Sequence, residues 1–200
     1  MRRLLVTLVS LSVLLSACGG GGTKSATPPV ASAKGVSGYN AAPPWPLDGS
    51  QAKRMTAAGL PQLTAEGSIV HYHVHLDVFY NGQPVQVPQY VGIDYNAQRI
   101  SPVHTHQPTG VIHIEADKAD TFTLGQFLTE WGLQVKGNCI ADKCADQAVA
   151  YVNGAAQDGS AASVVFKGGQ EIALVLGTKP DTIPSTYDCA TNPGDACPTA

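Results

Sequence analysis

The chain reads His71-Tyr-His73-Val-His75-Leu-Asp77 and, further on, His104-Thr-His106-Gln-Pro-Thr-Gly-Val-Ile-His113-Ile-Glu115, and these two segments hold all six histidines. A strand sends residues i, i+2 and i+4 to one face. His71, His73, His75 and Asp77 are therefore expected to project together, while Tyr72, Val74, Leu76 and Val78 face the other way. The same rule sets His113 and Glu115 opposite Ile112 and Ile114. One face packs, and the other presents imidazoles and carboxylates.

Working outward, Tyr80-Asn81-Gly82-Gln83 predicts a two-residue hairpin, because a type I′ turn needs positive φ at both centres and Asn-Gly tolerates it. That turn sets a register of Val78 with Val85 and Leu76 with Val87 on the packed face, and of Asp77 with Gln86 and His73 with Tyr90 on the other. Pro88 marks a bulge or an edge. Upstream, Asp48-Gly-Ser50 has the chemistry to cap a short helix over 51–58 that Gly59 ends. Downstream, Thr123-Leu-Gly-Gln126 is a capping box, and Leu124, Phe127, Leu128 and Trp131 follow as one apolar stripe that Gly132 stops. A strand over 148–152 enters a second Asn-Gly turn, and Glu171-Ile-Ala-Leu-Val-Leu176 reads as a central strand. The expected class is α+β: a mixed β-sheet with one short amphipathic helix and an added N-terminal hairpin that bears the histidines.

The order hairpin, helix, strand ending Val152-Asn153-Gly154, then Gly168-Gly-Gln-Glu171-Ile-Ala-Leu-Val175 resembles a β-grasp domain of the small sulfur-carrier kind over residues 110–177. The chain lacks that family's C-terminal Gly-Gly tail, so the resemblance implies no carrier chemistry. The segment Ala57-Ala-Gly-Leu-Pro61, the His-x-His-x-His strand, and Ser101-Pro-x-His-Thr-His with Gly-Val-Ile-His-Ile-Glu are also similar to a group of uncharacterised exported actinobacterial proteins. That likeness implies export and no activity.

Arg2 and Arg3 precede an apolar run from Leu4 to Leu15, shorter than the roughly 20 residues of a membrane span, as in a secretory signal. Leu15-Ser16-Ala17-Cys18 resembles the bacterial lipobox, and the resemblance implies cleavage before Cys18 and lipid on its sulfur. The expected organisation is a signal peptide at 1–17, the lipidated Cys18 with a Gly- and Ser-rich tether over 18–45, and one metal-binding domain over 46–200 on the outer face of the cell membrane. Loss of Arg2 and Arg3 leaves 10 basic against 15 acidic side chains, a net charge of −5. Nucleic acid as a partner is excluded by that balance; membrane lipid through Cys18 and a metal ion are the expected partners, and no protein partner is legible. In an oxidising compartment, Cys139 with Cys144 and Cys189 with Cys197 are the expected disulfides.

Imidazole is the commonest protein ligand for zinc and copper. The candidate ligands are His73, His104, His106 and His113, then His75 and His71, with Glu115 and Asp77 as carboxylates that orient them. Only Met1 and Met55 occur, so Cu(II) or Zn(II) suits the donors better than a cuprous ion. Three functions fit: capture, buffering or delivery of the ion; a metalloenzyme whose open three-histidine site activates water or oxygen; and an interaction module whose histidines switch charge between pH 5 and 7. The spacing of His75 and Asp77 with a distant histidine also matches an iron facial triad, although the strand count is low for the usual barrel. No His-Glu-x-x-His helix and no Gly-x-Ser-x-Gly turn is present.

Overall fold

The computed structural model describes residues 36–187. Cys18, Cys189, Cys197 and the segment read as signal and anchor lie outside the described residues. In chain order the elements are α1 Gln51–Ala57, β1 Val70–Tyr80, β2 Gln83–Val85, β3 Ile93–Asp94, β4 Arg99–Ile100, β5 Val103–His104, β6 Val111–Ala116, α2 Leu124–Trp131, β7 Val135–Lys136, β8 Cys139–Ile140, β9 Lys143–Cys144, β10 Ala148–Val152, β11 Ala155–Ala156 and β12 Glu171–Leu176. The class is α+β with a mixed sheet, and there are two α-helices among the described residues. Among the described residues no helix is long and apolar enough to cross a membrane.

The main sheet runs β11-β10-β12-β1-β6-β5, with β2 pairing the far end of β1. The Asn81-Gly82 turn forms as expected, with φ of 49° and 80°, and its register holds at Val78 opposite Val85. The pairing then departs from expectation. Pro84 and Pro88 deprive this arm of ladder donors, β2 ends at Val85, and the histidine-bearing half of β1 pairs with β6 instead. His73 therefore stands opposite His113 rather than Tyr90. On its other side β1 is parallel to β12. The histidine strand of the N-terminal hairpin is thus an inner strand of the sheet, between β12 and β6.

Alternation decides which face packs. Val74, Leu76, Val78, Ile112, Ile114, Ile172, Leu174 and Leu176 form one core with Leu124, Phe127, Leu128 and Trp131 of α2. The capping box is complete: the Gln126 N–H donates to Thr123 Oγ1 at 3.3 Å, and the Thr123 N–H donates to Gln126 Oε1 at 2.9 Å. Gly132 ends the helix at φ 105°. Helix α1 is capped from a distance. Ser50 makes no side-chain cap; instead Asp94 Oδ2 accepts from the Ala52 N–H at 3.0 Å. Asp48 pairs with the buried guanidinium of Arg54, whose hydrogen bond holds the Asp48 carboxyl at about 2.

Residues 39–45, placed with the tether by composition, belong to the packed body. The Tyr39 N–H donates to the Gly132 carbonyl at 2.8 Å, and the Gln134 N–H donates to the Tyr39 carbonyl at 2.9 Å. Trp45 is buried, with ring centroids 5.8 Å from Trp131 and 6.0 Å from Tyr80. A Gly- and Ser-rich average conceals two aromatic rings that have a surface to bury. The disulfide Cys139–Cys144 joins directly opposed residues of the β8–β9 hairpin.

Candidate metal centre

The strand registers place His73 opposite His113 and His104 opposite His113. Directly opposed residues share a face, so three imidazoles form one row across β1, β6 and β5. The neighbouring row is His71 opposite Glu115. His106 follows β5 by two residues and stands on edge to His104 and His113, with centroids at 4.8 and 4.6 Å. Five of the six histidines and Glu115 are thereby gathered on the sheet face away from the apolar core. His73, His104, His113 and Glu115 are buried, whereas His71 is exposed.

Two sets of donor atoms emerge. In the first, His71 Nε2 lies 3.3 Å from His73 Nε2, His73 Nε2 3.0 Å from His113 Nδ1, His113 Nδ1 3.3 Å from Glu115 Oε1, and His71 Nε2 3.2 Å from the same oxygen. Bonds of about 2.0–2.2 Å to tetrahedral zinc put neighbouring ligand atoms about 3.3–3.6 Å apart. Four of the six edges already have nearly that length. In the second set, His104 Nε2 lies 3.2 Å from His106 Nε2, and His106 Nε2 lies 3.2 Å from Glu66 Oε1. His104 Nε2 is also 3.9 Å from Glu115 Oε2. The groups His71-His73-His113-Glu115, His104-His106-His113, Glu66-His104-Glu115 and His75-Asp77-Glu171 each bring their donor atoms within 4.8 Å of one another, compact enough to hold a metal ion.

The second set is oriented by backbone. His104 Nδ1 is 2.9 Å from the Ser101 carbonyl, which only accepts, so the proton sits on Nδ1 and the lone pair on Nε2 faces the cluster. Burial, reinforced by His113 and His106, pushes the His104 imidazolium down to about 3. Near neutral pH His104 is therefore uncharged, with the Nε2 lone pair open to a metal ion. Burial pushes Glu115 up, but the hydrogen bond from His113 and the charges of His104, His113 and His71 outweigh it and hold the carboxyl at about 2. Two glycines allow the approach of loops to this face. A Cβ on Gly92 would meet the Val103 carbonyl at 2.4 Å, and one on Gly67 would meet Ala116 backbone at 2.2 Å. The first brings its loop against β5, and the second holds Glu66 beside the end of β6. Thr105 locks the His104–His106 turn, its hydroxyl donating to the Pro88 carbonyl at 2.9 Å and accepting from the Val91 N–H at 3.0 Å.

The chain matches no family model, and no curated protein or solved structure proves similar to it. Function is therefore argued from the site.

The four leading candidates fall into two groups that share a member: His113 joins His73 in one and His104 with His106 in the other. His71, expected to contribute least, is within contact of His73. His75 goes elsewhere. Its Nδ1 is 2.9 Å from Glu171 Oε2 and 3.8 Å from Asp77 Oδ2, and its Nε2 donates to the Thr109 carbonyl at 2.9 Å. Burial opposes the His75 imidazolium, but the Glu171 carboxylate wins and raises it. Tyr187 stacks on the ring at 5.5 Å. Asp77 therefore belongs with His75 and Glu171, not behind the main cluster. Glu66 and Glu171 were missed by sequence reasoning. Glu66 sits in a loop without periodicity, and Glu171 reaches His75 only through the parallel β1–β12 pairing.

Proposed function

We propose that the chain is an exported protein, tethered by lipid on Cys18 at the outer face of the cell membrane, that captures and holds Cu(II) or Zn(II). The observation that carries this is the set His71, His73, His113 and Glu115, four of whose six ligand-atom separations are 3.0–3.3 Å, close to the edge length around a tetrahedral ion. Imidazole and carboxylate suit a divalent ion, and Met55, the one methionine of the domain, is buried in the core. Capture is favoured over a pH switch by the convergence of these donor atoms, and His104, whose imidazolium burial pushes down to about 3, takes no part in a charge change between pH 5 and 7. We propose the β-grasp resemblance over residues 110–177 on the same footing; what supports it is α2 followed by β10, which ends at the Asn153-Gly154 turn, and β12 as an inner strand of the sheet.

Metal analysis tests the function. The full chain, purified in detergent without a polyhistidine tag and exposed to Zn(II), is expected to retain the ion through dialysis. Protein that emerges metal-free would overturn the reading. Fractionation of the Cys18→Ser variant tests the tether: it should leave the membrane, or remain uncleaved, where the parent is membrane-bound.

A further inference from the structure

We propose that the cluster holds two divalent ions joined by the Glu115 carboxylate, the first on His71, His73 and His113 and the second on His104, His106 and Glu66. This rests on the reading of the cluster as a metal centre, and adds how many ions it takes and which residue links them.

The two oxygens of Glu115 face different donors. Oε1 lies 3.2 Å from His71 Nε2 and 3.3 Å from His113 Nδ1. Oε2 points toward His104 Nε2 at 3.9 Å, is buried, and has no hydrogen-bond partner. A single ion in the first set would leave that oxygen desolvated and unsatisfied, which is costly for a carboxylate. An ion in the second set satisfies it.

The second set also has too many acceptors. His104 Nε2 is a lone pair, because Ser101 holds the proton on Nδ1. Glu66 Oε1 and Glu115 Oε2 are acceptors as well. The only proton available among these atoms is one on His106 Nε2, which lies 3.2 Å from both His104 Nε2 and Glu66 Oε1. One proton cannot serve three converging acceptors, whereas a divalent cation serves all of them and takes His106 as a fourth ligand once that proton leaves. The arrangement is graded from inside to outside: His104 and Glu115 are buried, His106 is half-buried and Glu66 exposed. An ion can therefore enter from the Glu66 side without disturbing the core. A carboxylate spanning two ions holds them on the order of 3.5–4 Å apart, as in other two-metal centres.

The test is stoichiometry. The full chain, untagged and in detergent, is stripped with chelator, dialysed against Zn(II) and analysed for zinc per chain. Two ions are expected in the parent, one in His106→Ala, and one or none in Glu115→Gln. One ion in the parent would overturn this proposal and leave the capture reading standing; none would overturn both. Two ions retained by Glu115→Gln would overturn the bridge. With Cu(II), a bridged pair should couple its spins, so the paramagnetic resonance signal of the parent should fall short of its chemical copper content, and His106→Ala should restore the match. Full signal from a parent that carries two coppers would also overturn the bridge. His106 lies outside the packed core, so its replacement is expected to leave the fold intact.

Discussion

His73 Nε2 lies 3.0 Å from His113 Nδ1, a contact set by their direct opposition in the β1–β6 ladder. Two ring nitrogens so close share at most one proton, and an ion replaces it with bonds to both. Zn(II) affinity is therefore expected to fall at least tenfold, a loss of about 1.4 kcal/mol or more, in His73→Ala, His104→Ala and His113→Ala. His71→Ala should cost less, because water replaces an exposed ligand readily. His75→Ala should stay within about twofold. Calorimetry on these variants checks the order, and a His75→Ala as damaging as His113→Ala would show that the ion sits elsewhere.

Because His104 is held at about 3 by burial and by its imidazole neighbours, it carries no proton for the metal to displace near neutrality. Imidazoles that are protonated must lose their protons on binding, so affinity should drop as pH falls. His104→Ala should then weaken binding without changing the number of protons released at pH 6. Titrations in two buffers of different ionisation enthalpy measure that number. A smaller release in His104→Ala would mean that His104 is protonated in the free protein.

Local signals were readable and long-range ones were not. The alternation of His71 to Val78, the Asn81-Gly82 turn, the Thr123 box and the Gly132 stop each depend on a few adjacent residues, and each formed as expected. The partner of the histidine half of β1 depended on Pro84 and Pro88 yielding to β6, a competition between distant segments that no window of sequence contains. For that reason the histidines were legible as a set, whereas their division about His113 and Glu115 was not. The separation of His75 was hidden for the same cause, since Glu171 is about a hundred residues away in a strand parallel to its own.

The His75–Glu171 pair gives a second pH dependence, readable with chelator present. The folded His75 value is raised, because the carboxylate 2.9 Å away outweighs burial. A raised imidazole contributes stability that is full below its unfolded value of about 6.5 and is lost as pH rises through its folded value. The gap in urea midpoint between the parent and His75→Gln should therefore be widest near pH 6 and narrow toward pH 9. A gap that widened with pH would mean that the pair is not charged.

Glu130 gives the cleanest separation of stability from function. It sits on α2, fully buried, and neither carboxyl oxygen makes a well-formed hydrogen bond, the Ser101 side chain offering only a weak one. Burial raises its carboxyl well above the ordinary range, against a lesser opposing effect from Ser101. The sign follows from linkage: an acid whose folded value is raised leaves stability untouched below its unfolded value of about 4.3, and removes stability as pH climbs toward the folded value. Glu130→Gln keeps the shape and removes the ionisation. It should stabilise the protein at pH 8, by about 1.4 kcal/mol for each pH unit over which the unfolded carboxyl is ionised and the folded one is not, and by almost nothing at pH 4. Because α2 packs on the face opposite the histidines, zinc affinity should stay within about twofold of the parent. Thermal unfolding at the two pH values measures the first effect and calorimetry the second. If Glu130→Gln destabilises at pH 8, the carboxyl has a partner that satisfies it; if zinc affinity collapses while the fold is retained, the two faces of the sheet are coupled through more than packing.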